Sequence, residues 1–121
     1  MLLVIADYND LSGHPVVGAS WEGFVIENLL AAAPDDSKAS FYRTAAGAEI
    51  DLVLEFPKHG LRAIEIKRGL TARPGRGFHI ACDDLKPSRR FVVNGGQDRY
   101  PLGPEREAIS VRGLATELAT L

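Results

Sequence analysis

The chain has 121 residues, 45% of them hydrophobic and 25% charged, with a formal net charge of −2. That is the composition of one globular domain, residues 1–121, with a single sizeable core, and it excludes a disordered or collagen-like chain. A lone Cys82 excludes an internal disulfide framework and a cysteine-based zinc cluster, and the apolar run at residues 1–6 is too short for a signal peptide or a membrane span. A soluble, cytoplasmic protein with no membrane partner is expected.

Residues 1–11 read as a short apolar strand and a polar turn, like the stub of a longer chain. Residues 13–20 (GHPVVGAS) have the glycine spacing of a P-loop, but Ala19 stands where the phosphate-reaching lysine belongs, which argues against nucleotide binding. Residues 20–33 are the clearest helix. Trp21, Phe24, Val25, Asn28 and Leu29 follow helical spacing, and Pro34-Asp35-Asp36 stops it. Glu22 has Val25, Ile26 and Leu29 as helix neighbours, which puts it on or beside the apolar stripe. Its plain reading is a first-turn acid favoured by the helix dipole.

Three strands are expected next, at residues 40–44, 49–55 and 61–67, joined by Ala45-Ala46-Gly47 and Pro57-Lys58-His59-Gly60 into an antiparallel meander. Side chains alternate across a strand. Ala48, Ile50, Leu52 and Leu54 are therefore expected on one face, and Glu49, Asp51, Val53 and Glu55 on the other. Ile64 and Ile66 point inward, and Glu65 and Lys67 outward together. A helix over residues 71–85 carries Pro74 in its first turn and Phe78, Ala81, Cys82 and Leu85 on one stripe. Cys82 there is a small buried hydrophobe. Gly75 and Gly77 weaken its start and lack the third glycine of a dinucleotide fingerprint. Residues 89–94 form a strong strand, residues 108–111 a weaker one at an edge, and residues 113–121 a short helix with Leu114 and Leu118 one turn apart. The fold class is α/β, an α+β sandwich on a central mixed sheet.

Charge is unevenly spread. Residues 67–90 carry Lys67, Arg68, Arg73, Arg76, Lys86, Arg89 and Arg90 against Asp83 and Asp84, a net +5 that leaves −7 for the rest. A basic stretch in an acidic domain is the footprint of a phosphate-backbone groove, and solvated helix and strand edges give the same count. Arg68, Arg73, Arg76, His79, Arg89 and Arg90 are the candidate nucleic-acid contacts, with surface roles as the plain alternative. Glu49, Asp51, Glu55 and Glu65 facing one lysine form a surplus of like charge, which is destabilising across a sheet unless compensated. Either Asp51, Glu65 and Lys67 belong to a solvated salt-bridge ladder, or a divalent metal compensates them.

The order helix, three strands, helix, strand, with an acid on the first helix, Asp51 on the second strand and Glu65-Ile66-Lys67 on the third, resembles the PD-(D/E)XK nuclease superfamily, the restriction-endonuclease-like fold. The segments HPVVGASWEGFVIE, FYRT, GAEIDLV, EIK and GFH look like one family within it, which usually forms the C-terminal domain of predicted bacterial and archaeal AAA+ ATPases. The likeness runs from about residue 11 to the C-terminus. It implies a metal-binding Asp51, the Glu65 and Lys67 of Glu-x-Lys, the backbone carbonyl of Ile66 as a further ligand, and Glu22 as the helix acid. Ile50 stands where the superfamily's name has proline. An ATPase region or subunit is the partner this resemblance implies, and the residue 1–11 stub is its expected junction.

Hydrolysis of a phosphodiester needs an activated water and charge neutralisation on the phosphate, which Mg²⁺ (or Mn²⁺) supplies through oxygen ligands. Asp51, Glu65, Glu22 and the Ile66 carbonyl are the expected ligand set. Lys67 either orients or deprotonates the attacking water, or stabilises transition-state charge. Glu49 is an outer or alternative ligand, or an exposed strand-edge acid. The expected activity is DNA cleavage. The alternative is a catalytically silent module that binds nucleic acid or a partner and regulates an ATPase, since fold alone never proves chemistry.

Overall fold

A computed structural model of the chain describes residues 3–7, 21–68, 74–97 and 99–121. The features expected at residues 8–20, and the expected contact Arg73, lie outside them. The elements are β1 (Leu3–Asp7), α1 (Trp21–Ala32), β2 (Lys38–Thr44), β3 (Glu49–Phe56), β4 (Gly60–Ile66), α2 (Arg76–Leu85), β5 (Arg89–Asn94), β6 (Tyr100–Gly103), β7 (Arg106–Ser110) and α3 (Val111–Leu118).

The strands form one sheet in the order β1-β2-β3-β4-β5-β7-β6. β1 to β4 pair antiparallel, β4-β5 and β5-β7 pair parallel, and β6-β7 pair antiparallel. The sheet is thus mixed and mostly antiparallel. α1 and α3 pack together over one face, where Val25, Ile26, Leu29, Leu114 and Leu118 meet Leu52, Leu54, Ile64, Phe91 and Val93. α2 covers the other face, where Phe78, Ala81 and Cys82 meet Tyr42, Ile50, Val53 and Ala63. Both faces of the central strands are therefore dry, which is why β5 has three consecutive buried apolar residues, Phe91, Val92 and Val93, rather than an alternating pattern. No helix among the described residues is long and apolar enough to cross a membrane.

Local chemistry sets the boundaries. Gly47, at φ +94°, closes the β2–β3 turn in a conformation that costs a side-chain-bearing residue energy. α2 ends where Lys86 takes a left-handed conformation and donates its N–H to the Cys82 carbonyl, with Pro87 following. α3 begins on Ser110, whose hydroxyl accepts from the Gly113 N–H at 3.0 Å. At the far end of the sheet, Glu107 accepts from Arg89 and from Arg99 (2.7 and 2.8 Å), and Arg99 also donates to Glu117 on α3. The hydrogen bonds from Arg99 hold the Glu107 carboxyl below the usual carboxylate range.

Several expectations are corrected. β3 does not alternate uniformly, because Ser40 pairs with Val53 and Tyr42 with Ile50, so β3 carries one extra residue against β2. This bulge at Asp51-Leu52 sends Ala48 and Ile50 to the α2 face, and Leu52 and Leu54 to the α1/α3 face. Val53, expected beside the acids, is buried under α2. In α1 the buried stripe is Val25, Ile26 and Leu29, while Phe24 is 49% exposed and Asn28 is exposed. Trp21-Glu-Gly-Phe-Val-Ile is apolar nearly all round, so spacing alone left its phase one residue off. α2 starts at Arg76 behind an extended Gly75, and Pro74 stands before the helix rather than in its first turn. β7 is interior, with Ala108 and Ile109 buried, and the edge belongs to the unexpected β6. The stripe Phe78, Ala81, Cys82 and Leu85 packs as expected, and burial pushes the Cys82 thiol up to about 11. Thiol alkylation of the native protein at neutral pH is accordingly expected to run at least about tenfold slower than in urea, because the thiolate is the reactive form.

Candidate functional site

β3 and β4 are paired from Phe56↔Gly60 to Leu52↔Ile64, and the ladder stops there. Beyond that point β4 follows β5, with the Lys67 N–H donating to the Val93 carbonyl at 2.8 Å. The two strands part just past Leu52↔Ile64, so that Asp51 and Glu65, the next residue on each strand, stand at the mouth of the fork. The bulge turns Asp51 so that its carboxylate replaces the missing ladder partner. Oδ2 accepts from the Ile66 N–H at 2.8 Å.

Glu65 is buried, with 8% of its surface exposed. It lies on the α2 face, not in solvent as strand alternation suggested, because α2 covers that side. One oxygen accepts from the Gly75 N–H at the start of α2 (3.0 Å), and the other faces the Lys67 ammonium at 3.2 Å. A buried carboxylate held by a helix-start N–H and a lysine satisfies the requirement that buried charge be paired. Asp51 is less well served. Burial pushes its carboxyl up from 3.8 to about 6 against the pull of the Ile66 N–H, and the charges of Glu22, Glu65 and Glu49 add to the push. Glu22 is itself solvent-exposed rather than inward-facing, and Glu49 is exposed as well. Their fields nevertheless reach Asp51. The structure thus gathers Glu22, Glu49, Asp51, Glu65 and Lys67 around the strand fork. Among the described residues no three acidic, histidine or cysteine side chains already converge on one metal position.

The expected basic groove is divided by the period of the strand. Arg89 lies over the Phe91 ring on the α1/α3 face and is ion-paired with Glu107. Arg90 pairs in register with Ala63 and points to the α2 face. Arg68 and Arg76 are exposed near the site, and His79 is half-buried on α2.

Three residues hold the site in ways that sequence spacing does not show. Trp21 donates its indole N–H to the Lys67 carbonyl at 2.9 Å, tying α1 to the end of β4 and bringing Glu22 with it. Its spacing suggested only an apolar stripe, although an indole in a core always requires an acceptor. Gly75 and Gly77 are close-approach glycines. A Cβ on Gly75 would lie 3.2 Å from Glu65 Oε1, and one on Gly77 would lie 2.5 Å from the Gly47 carbonyl oxygen. Gly77→Ala is expected to cost about 1–3 kcal/mol in thermal unfolding, since a backbone oxygen cannot yield and the clash outweighs the gain in helix propensity of up to about 1 kcal/mol. An unchanged melting temperature would contradict this packing.

Fold and site together define an α/β domain with helices on both sheet faces and an acidic centre at a strand fork. Residues 17–114 match the family described as Domain of unknown function (DUF4143), and the chain belongs to that family. It is 36% identical over 115 residues to Uncharacterized protein Rv2008c of Mycobacterium tuberculosis and, equally, to Uncharacterized protein Mb2031c of Mycobacterium bovis. Those matches cover 95% of this chain and 26% of either relative, so the chain spans about a quarter of their length. A third similarity, to mitochondrial Methylmalonyl-CoA epimerase of Bos taurus, is 34% identical over 62 residues. It covers half of this chain and 35% of that protein, too little of either to define a family. No solved structure gives a significant match.

Proposed function

We propose that this is a metal-dependent nuclease-like domain of PD-(D/E)XK type that hydrolyses phosphodiesters of DNA. The observation that carries the reading is the strand fork, where a partly desolvated Asp51, its carboxyl raised to about 6, accepts from the Ile66 N–H next to buried Glu65 and feels the charge of Glu65. A carboxyl perturbed by desolvation and by specific neighbouring charges marks a candidate functional site. The donor set is hard oxygen, which fits Mg²⁺ or Mn²⁺. Asp51, Glu65, the Ile66 carbonyl and Glu22 would hold the ion, which when bound supplies charge neutralisation at the phosphate and an activated water. Glu49 adds field from outside this set. Lys67 presents a positive charge to the reacting phosphate, and Trp21 fixes the backbone that carries it. Arg68 and Arg76, exposed beside the site, together with His79 and Arg90, contact the substrate backbone.

The test is incubation with Mg²⁺ or Mn²⁺ and single-stranded, duplex or branched DNA. Cleavage is expected from the parent and not from Asp51→Ala or Glu65→Ala. Equal cleavage by parent and variants, or none by the parent, overturns the reading.

A second reading is favoured by one observation. Both key carboxylates already have protein partners, Asp51 the Ile66 N–H and Glu65 the Gly75 N–H and Lys67. The domain is then a silent module that binds nucleic acid or a partner within a longer protein. The fourfold greater length of the mycobacterial relatives leaves room for the AAA+ ATPase region that the family resemblance implies. Salt-dependent DNA binding with no metal-dependent turnover distinguishes it.

A further inference from the structure

Arg90 on β5 and Arg106 on β7 are direct neighbours across a parallel pair of strands. Arg90 shares its row with Ala63 of the α2-side core, and both guanidiniums lie near enough to Cys82 on α2 to act on its thiol. Their side chains therefore share the α2 face. Like charges side by side on a sheet repel. Arg89 and Arg99 nearby are neutralised by Glu107 and Glu117, and Arg62, in register with Arg89, donates to the His59 carbonyl. Arg90 and Arg106 have no ion pair among the described residues, and the Nε–H of each is buried with no hydrogen-bond acceptor. A buried donor left unsatisfied costs roughly 1–3 kcal/mol. Two such donors on adjacent, like-charged side chains are conspicuous, because each guanidinium offers a planar fork suited to an oxyanion. Both residues are only half-buried, and Arg106, though not Arg90, also lines an open cavity of about 430 Å³ with Arg89, Arg99, Tyr100, Glu105 and Glu107.

We propose that Arg90 and Arg106 together form a binding site for a phosphate oxyanion, seated over the accessible ends of the two half-buried guanidiniums and accepting from their terminal N–H groups, while the buried Nε–H groups stay beneath it. The row holding Arg90 is two residues from the row holding Glu65, roughly 7 Å along the strand. If the phosphate belongs to nucleic acid, the pair rests on the nuclease reading and grips the backbone beside the acidic centre. If it is a free phosphate, the site stands independently of that reading.

The experiment is thermal unfolding of the whole chain without divalent metal, in phosphate against chloride at matched ionic strength. About 20 mM phosphate at a millimolar site is expected to raise the melting temperature of the parent by roughly 5 °C. Arg106→Gln and Arg90→Gln are expected to lose that shift, and Arg112→Gln, an exposed arginine on α3, to keep it. Should a Gln variant fail to fold, Arg106→Lys serves, retaining charge without the fork and weakening phosphate at least about tenfold. No shift in the parent, or a full shift in the Arg90 and Arg106 variants, overturns the proposal. A second arm adds a short single-stranded oligonucleotide. A log–log salt slope smaller by about 1 in Arg106→Gln assigns the phosphate to nucleic acid, whereas a response to inorganic phosphate alone assigns it to a free anion. Asp51→Asn keeps the phosphate shift in full, so failure of the metal-site reading and failure of this one remain separate results.

Discussion

Asp51→Asn is expected to stabilise the metal-free protein at pH 8 by about 2–3 kcal/mol, a rise of roughly 5–15 °C in melting temperature. The cause is the price of keeping a carboxylate charged at the strand fork. Its carboxyl is raised from 3.8 to about 6 by burial first, and then by the fields of Glu22, Glu65 and Glu49. A raised folded-state pKa means that the native chain binds the proton more tightly than the unfolded chain does. The contribution of Asp51 to stability is therefore complete below pH 3.8 and is lost as pH climbs through 6, by about 3 kcal/mol for a rise from 3.8 to about 6. Asparagine keeps an oxygen to accept from the Ile66 N–H and never ionises. Urea or thermal unfolding of parent and variant between pH 4 and 8 isolates the effect, because every other titrating group is common to both. The difference is expected to be small at pH 4 and to open through pH 6. An Asn variant less stable than the parent at pH 8 would mean that the ionised carboxylate is satisfied where it stands. On the metal reading, Mg²⁺ or Mn²⁺ raises the melting temperature of the parent at pH 8 and leaves Asp51→Asn unmoved.

Much of this arrangement was legible in the chain, and the parts that were not share a physical cause. The strands β2 to β5, the stripe of α2 and the Glu65-Lys67 pair follow from periods of two and of 3.6, which are local properties. The bulge at Asp51-Leu52 is not local. It exists because β3 must satisfy β2 on one side and part from β4 on the other, and it overturns the face assignment of every residue beyond it. The separation of Arg89 from Arg90 was legible in principle, since adjacent strand residues oppose each other, but a count of charge along the chain discards that information. The phase of α1 was ambiguous, because Trp21, Phe24, Val25 and Ile26 allow two stripes and only the packed sheet selects one. Gly75 and Gly77 carry a signal that a nucleotide-loop motif does not account for. Two glycines at a helix start mark a close approach of backbones as readily as a nucleotide loop, and here they let α2 reach Glu65 and the Gly47 turn.

Lys67→Met is expected to lower metal-dependent cleavage by on the order of 10²–10³-fold, and Lys67→Arg by no more than about tenfold. The Lys67 ammonium nitrogen sits 3.2 Å from Glu65 Oε1, and the Lys67 backbone is pinned at both ends by the Val93 carbonyl and the Trp21 indole. An ammonium already paired with a buried carboxylate is placed to stabilise charge rather than to accept a proton from water. A guanidinium supplies the same charge and cannot act as a base, so the arginine variant separates the two roles. Retained cleavage with an unchanged pH–rate profile supports the electrostatic role. Loss equal to that of Lys67→Met, with disappearance of the acid limb of the profile where the rate rises as the base loses its proton, assigns proton transfer instead. Neither variant is expected to abolish the metal-induced rise in melting temperature, because Lys67 is not among the oxygen ligands. Asp51→Ala is expected to lose cleavage and that rise together, so the pair of readouts separates a residue that holds the ion from one that serves the phosphate.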